Sequence, residues 1–197
     1  MSSSRENASV RIRSLERHEI AGLWSIDRSE RIEGLYVVRD GRLLLEPHLE
    51  EVRGWPAGER ERTEPVHIDC FERGGIFRGA FAGEVLVGGS VLDRRLFGPQ
   101  RDRLQLEFLY VDRGHRGRRI GRILFEEAAE RARALGARAL YVSATPTENT
   151  IRFYQRRGCR LARAVDPALF AREPEDIHLE LDLAGSGAPP APATCEG

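Results

Sequence analysis

The stretch between residues 111 and 122 brings arginines and glycines together at the start of a predicted helix. Its charged and small residues are Arg116, Gly117, Arg118, Arg119, Gly121 and Arg122. The first turn of a helix has unpaired backbone N–H groups and a partial positive charge, so it can hold a phosphate or pyrophosphate. A solvated basic turn before an ordinary helix is the alternative, and the local sequence favours neither.

The rest of the sequence limits which phosphate-bearing ligands this turn could bind. All 31 positively charged residues are arginine, so neither a P-loop lysine nor a Schiff-base lysine exists, and neither GxxxxGK[ST] nor GxGxxG occurs at this junction. The formal net charge is zero, which disfavours nucleic acid or an anionic membrane as a partner. An RNA-binding role would also need a wider arginine patch with aromatic platforms.

Two separated motifs resemble the GNAT family of N-acetyltransferases. The family's pyrophosphate motif is Arg or Gln, two residues, Gly, one residue, then Gly or Ala; Arg116 and Gly121 match its ends, and Arg119 stands where the pattern has its first Gly. Downstream, residues 141–144, 149–154 and 157–159 resemble the family's second cofactor-contacting region. The similarity covers about residues 70–183.

The resemblance implies an α/β (α+β) fold, with a mixed and mainly antiparallel sheet, a splayed pair of parallel central strands, and flanking helices. The pantetheine arm of acetyl-CoA would enter the opening between strands 104–111 and 139–143. The residues that the resemblance assigns to this co-substrate are Leu109, Val111, Arg116, Gly117, Arg118, Arg119, Ile120, Gly121, Arg122 and Asn149.

The resemblance also implies the proton carriers of an acetyl transfer to an amine. Tyr154 is the expected general acid for the departing thiolate, with a core tyrosine as the alternative. Glu107 is the expected base, on the strand face shared with Leu109 and Val111, with an exposed strand carboxylate as the alternative. His115 is a weaker candidate because it lies in the pyrophosphate loop.

Other polar residues do not decide where the acceptor binds. Asp176, His178 and Glu180 lie at or on one face of the last strand, where they either line an acceptor pocket or face solvent. No ligand spacing supports a metal, and none of the three cysteines is placed for a covalent acetyl intermediate, so direct attack by the amine is expected. A catalytically silent acyl-CoA-binding module is the competing interpretation.

These residues must be positioned by an alternation of strands and helices. Hydrophobic periodicity predicts strands and hairpins before residue 111 and a helix–strand–helix–strand order after it. The predicted strands cover 10–13, 36–38, 43–45, 75–82, 84–92, 104–111, 139–143 and 177–183; the helices cover 16–26, 119–135 and 150–157. Residues 46–66 are predicted to be a long loop that holds Trp55 as a packing anchor, and Asp40-Gly41 predicts a tight hairpin turn where the family usually has a helix.

Length and composition predict one domain, residues 9–183, between a flexible amino terminus (1–8) and a disordered Gly/Pro/Ala tail (184–197). Cys70, Cys159 and Cys195 form no pair motif and no apolar run could span a bilayer, so a cytoplasmic protein is expected. The acceptor is expected to be a primary amine of a small molecule or peptide that the sequence does not identify, and exposed sheet edges would allow a homodimer.

Overall fold

The computed structural model describes residues 9–184, in which the chain forms nine strands, four α-helices and two 3₁₀ helices. The predicted flexible amino terminus and residues 185–197 of the predicted tail lie outside the described residues. The strands are β1 (Val10–Ser14), β2 (Glu30–Arg39), β3 (Arg42–Val52), β4 (Ile76–Ala82), β5 (Val85–Leu92), β6 (Arg103–Val111), β7 (Ala139–Ala144), β8 (Arg160–Leu161) and β9 (Ile177–Asp182). The helices are α1 (Glu59–Glu72), α2 (Ile120–Ala134), α3 (Glu148–Gln155) and α4 (Pro167–Arg172), with 3₁₀ helices at Arg17–Ser25 and Arg113–His115.

A seven-stranded sheet with the order β1-β4-β5-β6-β7-β9-β8 forms the centre of the fold. All its neighbouring strands are antiparallel except β6 and β7, which run parallel. This arrangement confirms the fold class expected from the sequence. No helix within residues 9–184 has the length and apolar character needed to cross a membrane.

The parallel pair at the centre of the sheet separates along its length. Pairing joins residues 103–105 of β6 to residues 139–141 of β7, and it ends there although β6 continues to Val111 and β7 to Ala144. The two strands therefore open toward their carboxyl ends, and the edge of β6 beyond Gln105 has no strand partner on this side within the described residues.

Both faces of the sheet are covered. On one face α2 buries Leu124, Phe125 and Ala128, following the apolar period expected for an amphipathic helix. On the other face Leu23 of the first 3₁₀ helix and Cys70 of α1 pack with Phe77 of β4 in a second cluster. The opening between β6 and β7 thus lies between two packed layers.

A β-bulge at Glu107 changes which side chains of β6 share a face. Phe108 pairs with Val91, whereas Leu106 pairs with Leu92, so Glu107 is an extra residue in β6. Leu106 accordingly packs in the cluster on the α2 side and Phe108 in the cluster on the α1 side. The predicted sharing of one strand face by Glu107 and Leu109 is therefore wrong, because Leu109 packs on the α2 side and Glu107 lies beside Cys70 of α1.

The region before β4 also differs from the prediction. The helix predicted over 16–26 is a 3₁₀ helix, and the predicted loop over 46–66 contains the end of β3 and the start of α1. Half of the side chains of α1 are charged, and several of them pair with one another, as Arg60 does with Glu64 (2.6 Å). Only His67 and Cys70 are buried, so the hydrophobic period that marks a helix is nearly absent.

The hairpin expected around Asp40-Gly41 is present and longer than predicted. It forms a separate two-stranded sheet of β2 and β3, with positive φ angles at Asp40 (50°) and Gly41 (70°) that match the twist of the strands. Its β2 strand contacts the segment that follows β7, because the N–H group of Tyr36 donates to the carbonyl of Pro146 (2.7 Å).

Candidate active site

The loop from 112 to 119 is shaped by its own side chains. The carboxylate of Asp112 accepts a hydrogen bond from the N–H group of Gly114 (2.9 Å) and lies 3.0 Å from Nδ1 of His115. Arg116 donates to the carbonyls of Val111 and Ser29, both at 3.1 Å. Asp112, His115 and Arg116 therefore hold the loop in place, which gives His115 a structural role in this arrangement.

The amino terminus of α2 faces this loop without a side-chain cap, as far as residues 9–184 show. Its N-cap residue, Arg119, has φ 66° and ψ 1°, and Gly117 has φ 77°. A left-handed conformation is strained for arginine and easy for glycine. The glycine that the family pattern has at position 119 would satisfy this backbone, and here an arginine adopts it.

The remaining basic residues of the loop differ in what they contact. Arg122 pairs with Glu126 (2.7 Å), whereas Arg118 and Arg119 are exposed and have no hydrogen bond or ion pair within the described part of the chain. Gly121 lies closely against a neighbouring ring, since a Cβ atom there would come within 3.3 Å of Phe153. Unpaired N–H groups, free guanidinium groups and a glycine thus meet at one end of the opening.

Tyr154 lies on α3 and is almost completely buried, with 5% of its surface exposed. Its ring packs edge-to-face on Phe125 (5.7 Å between centroids) and on Phe153 (5.1 Å). Burial raises the pKa of Tyr154, and the nearby Cys159, Tyr110 and Asp176 add to this effect. The hydroxyl group therefore stays protonated through the neutral range, as a proton donor must.

Glu107 is not the exposed carboxylate that the alternative interpretation required. Its side chain is 4% exposed and lies 3.3 Å from the guanidinium group of Arg172 on α4. Burial raises the pKa of Glu107, and Arg172 opposes the rise. Its carboxylate therefore lies in the layer between the sheet and helices α1 and α4.

A cluster that the sequence did not reveal lies next to Glu107. One ligand-type atom from each of Cys70, Asp93 and Glu107 falls within 4.8 Å of the others. Asp93 is already bound by Arg73 (3.3 Å) and Arg95 (3.0 Å), and burial raises the pKa of Cys70 to about 12. A protonated thiol and neutralised carboxylates indicate a paired-charge cluster, which is a poor site for a metal ion.

The side chain of Asn149 is hydrogen-bonded to the β2–β3 hairpin. Its side-chain amide donates to the carboxylate of Glu30 on β2 (2.7 Å), and the preceding Thr147 caps α3. The amide group therefore contacts β2 in this structure, and the assignment of Asn149 to the co-substrate stays a prediction.

His178 and Glu180 on β9 do not face solvent. His178 is 5% exposed and lies 3.3 Å from the hydroxyl of Ser143, and the side chain of Glu180 lies 3.7 Å from Arg103. Asp176 lies just before β9, which pairs with β7 on the side away from β6. The alternative that His178 and Glu180 face solvent is therefore wrong, and the assignment of the three residues to an acceptor pocket stays a prediction.

An aromatic group that was not predicted from the sequence covers the end of β6 on the α1 side. Trp55, Trp24, Phe108 and Tyr110 lie with ring centroids 4.7–6.2 Å apart, and Nε1 of Trp55 donates to the carbonyl of Ile26 (3.0 Å). Trp55 is thus a packing anchor, as predicted. These rings come from three distant segments, which no local pattern could connect.

The comparisons with known proteins identify the family. The model of the acetyltransferase (GNAT) family matches residues 44–159, more than half of the chain. The chain belongs to the GNAT acetyltransferase family. The enzyme is therefore an acyltransferase, and the family's co-substrate is acetyl-CoA. No curated protein sequence matched it.

Solved structures share the fold at low sequence identity. Nourseothricin acetyltransferase is 20% identical with a TM-score of 0.66, over 88% of this chain and 98% of that one. A protein assigned as a streptothricin acetyltransferase of Bacillus anthracis strain Ames, in complex with acetyl coenzyme A, is 17% identical with a TM-score of 0.61 (88% and 99%). The PaiA N-acetyltransferase of Thermoplasma acidophilum, in complex with coenzyme A, is 18% identical with a TM-score of 0.60 (88% and 99%).

Proposed function

We propose that this acetyltransferase moves the acetyl group of acetyl-CoA directly onto the amine of a small molecule or peptide. The observation that carries the proposal is the opening between β6 and β7, which ends beside the uncapped amino terminus of α2. An unpaired strand edge can bond an extended amide-bearing arm, and the helix terminus can hold a pyrophosphate. One site thus offers both kinds of contact that acetyl-CoA requires.

Two groups of residues are proposed to hold the co-substrate, one for the pantetheine arm and one for the pyrophosphate. Backbone groups of Leu109 and Val111 bond the pantetheine arm along the unpaired edge of β6. The amides and side chains from Arg116 to Arg122 hold the pyrophosphate, with the unpaired Arg118 and Arg119 supplying most of the charge. When bound, acetyl-CoA supplies an acetyl group activated as a thioester.

Tyr154 is proposed as the general acid. As the new carbon–nitrogen bond forms and the carbon–sulfur bond breaks, the Tyr154 hydroxyl gives its proton to the departing sulfur. The phenolate then takes a proton from the acetylated nitrogen, which restores the tyrosine. The products are the amide and the free thiol of coenzyme A.

Direct transfer is favoured by the state of the two cysteines that the structure describes. Burial raises the pKa of Cys70 and of Cys159 to about 12, so neither thiol ionises near neutral pH. Because the thiolate is the nucleophile, neither residue suits a covalent acetyl intermediate.

An aliphatic amine is protonated at neutral pH and must lose a proton before it attacks. Glu107 is the base expected from the sequence, and its buried position and raised pKa agree with that role. Replacing Glu107 with Gln would then flatten the acidic limb of the pH–rate profile, because the variant can take no proton. An unchanged profile would remove Glu107 from the mechanism.

The test begins with calorimetric titrations of acetyl-CoA, coenzyme A and ATP. Binding of both coenzyme A forms without a response to ATP is expected, and a panel of amines is then screened by thiol release. Failure to bind acetyl-CoA or coenzyme A would contradict the proposal at residues 116–121. Binding without thiol release from any amine would favour the silent acyl-CoA-binding module.

We further propose that the protein is cytoplasmic, that it forms a homodimer, and that it binds neither nucleic acid nor a membrane. The neutral formal charge and the two buried unpaired cysteines support this interpretation. Light scattering of the purified protein tests the dimer, and filter binding to RNA in moderate salt tests the exclusion of nucleic acid.

A further inference from the structure

The segment that leads into β2 is fixed on both sides of Arg28. Before it, the carbonyl of Asp27 accepts a hydrogen bond from the backbone N–H group of Arg113 (2.9 Å). After it, the carbonyl of Ser29 accepts one from the guanidinium group of Arg116 (3.1 Å). The backbone at Arg28 is therefore anchored to the loop that precedes α2, which places the Arg28 side chain at a fixed point of the site.

The guanidinium group of Arg28 lies over two rings of the aromatic group that covers the end of β6. Its central carbon is 5.3 Å from the ring centre of Trp55 and 5.7 Å from that of Tyr110, within the range of a cation–π contact. Such a contact positions the guanidinium group without using an oxygen acceptor. The N–H donors of Arg28 therefore remain available to a ligand.

Tyr110 connects this arginine to the opening between β6 and β7. It lies on β6 between Leu109 and Val111, beyond the last residue that pairs with β7. Its ring packs in the cluster on the α1 side, whereas Leu109 and Val111 pack on the α2 side. Burial raises the pKa of Tyr110, and Arg28 and the side chain of Thr145, which directly follows β7, oppose the rise. The Tyr110 ring therefore extends from one of the separated strands toward the end of the other.

The face of the sheet that carries Arg28 is the one left free for the acceptor. In the proposed complex the co-substrate contacts the amino terminus of α2 and the backbone of Leu109 and Val111, and Tyr154 packs in the cluster on that same α2 side. Because the co-substrate enters the opening from the α2 side, its acetyl group is reached from the α1 side. Tyr110 and Arg28 are both partly exposed and border that approach.

The carboxylates near Arg28 and Tyr110 are either bound elsewhere or too distant to pair with the arginine. Asp27 accepts a hydrogen bond from the backbone N–H group two residues further along the chain (2.8 Å), and Glu59 on α1 binds Arg62 (2.6 Å). Burial raises the pKa of Asp176, and Arg28 opposes that rise from more than 4.0 Å away. Within residues 9–184 Arg28 forms no ion pair, so a fixed positive charge without a partner lies on the acceptor's approach.

We infer that Arg28 binds a carboxylate of the acceptor, which makes the acceptor an amine that also carries a carboxylate group. The inference rests on the proposed acetyl transfer. A planar guanidinium group can donate two parallel hydrogen bonds to one carboxylate, which fixes the orientation of the bound molecule as well as its position. Arg28 is thus a specificity-determining residue that selects substrates of the amino-acid type, and the transfer itself proceeds as proposed above.

The experiment compares amines that share a skeleton and differ only in the carboxylate. A panel of α-, β- and γ-amino acids is paired with the carboxamides of the same acids, and thiol release from acetyl-CoA is followed with the full chain. The wild type should prefer the free acids, although the less basic amine of an α-carboxamide holds more of the reactive neutral form. Arg28→Gln should lower kcat/KM for the acids by about 10–10²-fold, chiefly through KM, and leave the carboxamides nearly unchanged.

Two further variants separate carboxylate binding from a structural role. Arg28→Lys keeps the charge without the fork of donors and should retain part of the preference for the acids. Arg53→Gln removes an exposed arginine that has no ion pair in the described part of the chain, and it should behave as the wild type. Equal losses for acids and carboxamides in Arg28→Gln, or a wild type that prefers the carboxamides, would overturn the assignment and leave acetyl transfer intact. Bound acetyl-CoA without thiol release from either series would instead refute the proposed function, and the inference with it.

Discussion

Arg119 offers a test of the pyrophosphate loop that needs no knowledge of the acceptor. It adopts φ 66° at the N-cap of α2, and a left-handed conformation costs a residue with a side chain about 1–2 kcal/mol. Glycine relieves this strain but gains freedom in the unfolded chain, which costs about 0.4–1 kcal/mol. Arg119→Gly should therefore raise the free energy of unfolding by about 0.5–1 kcal/mol, because Arg119 has no ion pair in the described residues to lose.

The matched control is Arg118→Gly, which removes the same charge one residue earlier where φ is not positive. This variant should lose about 0.4–1 kcal/mol, so the two variants should differ by about 1–2 kcal/mol in urea unfolding and by a few degrees in Tm. Both lose one guanidinium group, and Arg119→Gly should bind coenzyme A at least as well as Arg118→Gly in calorimetry. If Arg119→Gly is no more stable than Arg118→Gly, the strain argument is refuted.

Three further substitutions test other parts of the structure. Tyr154→Phe should lower kcat by about 10²–10⁴ with coenzyme A affinity unchanged, because the ring packing remains and only the proton donor is lost; equal losses in both would contradict the role. Gly121→Glu should abolish coenzyme A binding in calorimetry through bulk against Phe153 and repulsion of the pyrophosphate, whereas the uncharged Gly121→Gln should retain part of it. Glu19→Gln should cost about 1 kcal/mol at pH 7, because Arg13 holds the pKa of Glu19 at about 2, below its ordinary 4.5. This stabilisation is present above about pH 4.5 and is lost as the pH falls through 2, so urea unfolding of wild type and variant should converge in acid; a constant difference would exclude the pair as its source.

The sequence predicted the elements whose side chains follow a clear period. Helix α2 and the hairpin of β4 and β5 were expected within a few residues of their observed bounds, and the parallel pair followed from the family resemblance. Helix α1 was missed because its stability comes from charged neighbours and from only two buried side chains, and Pro65 lies inside it. Such a segment has the composition of a loop.

The site could be predicted only where it depends on local sequence. The loop before α2 was found because its residues are contiguous, whereas the bulge at Glu107 leaves no mark in a strand whose next four residues are all apolar. Among the charges that act on Asp176, that of Arg28 comes from a distant part of the chain. The raised pKa of Asp176 arises from burial that exists only in the folded protein.

The separate β2–β3 sheet has a consequence for how this enzyme can change over evolution. Within the described chain it joins the main sheet region through few backbone contacts, chiefly Tyr36 with Pro146 and the bridge between Leu35 and Thr147. Insertions or altered strand lengths in this hairpin would leave the register of the seven-stranded sheet untouched, because no ladder connects the two sheets. Changes in this hairpin can therefore accumulate over evolution without altering the main sheet, except at Glu30, which binds Asn149.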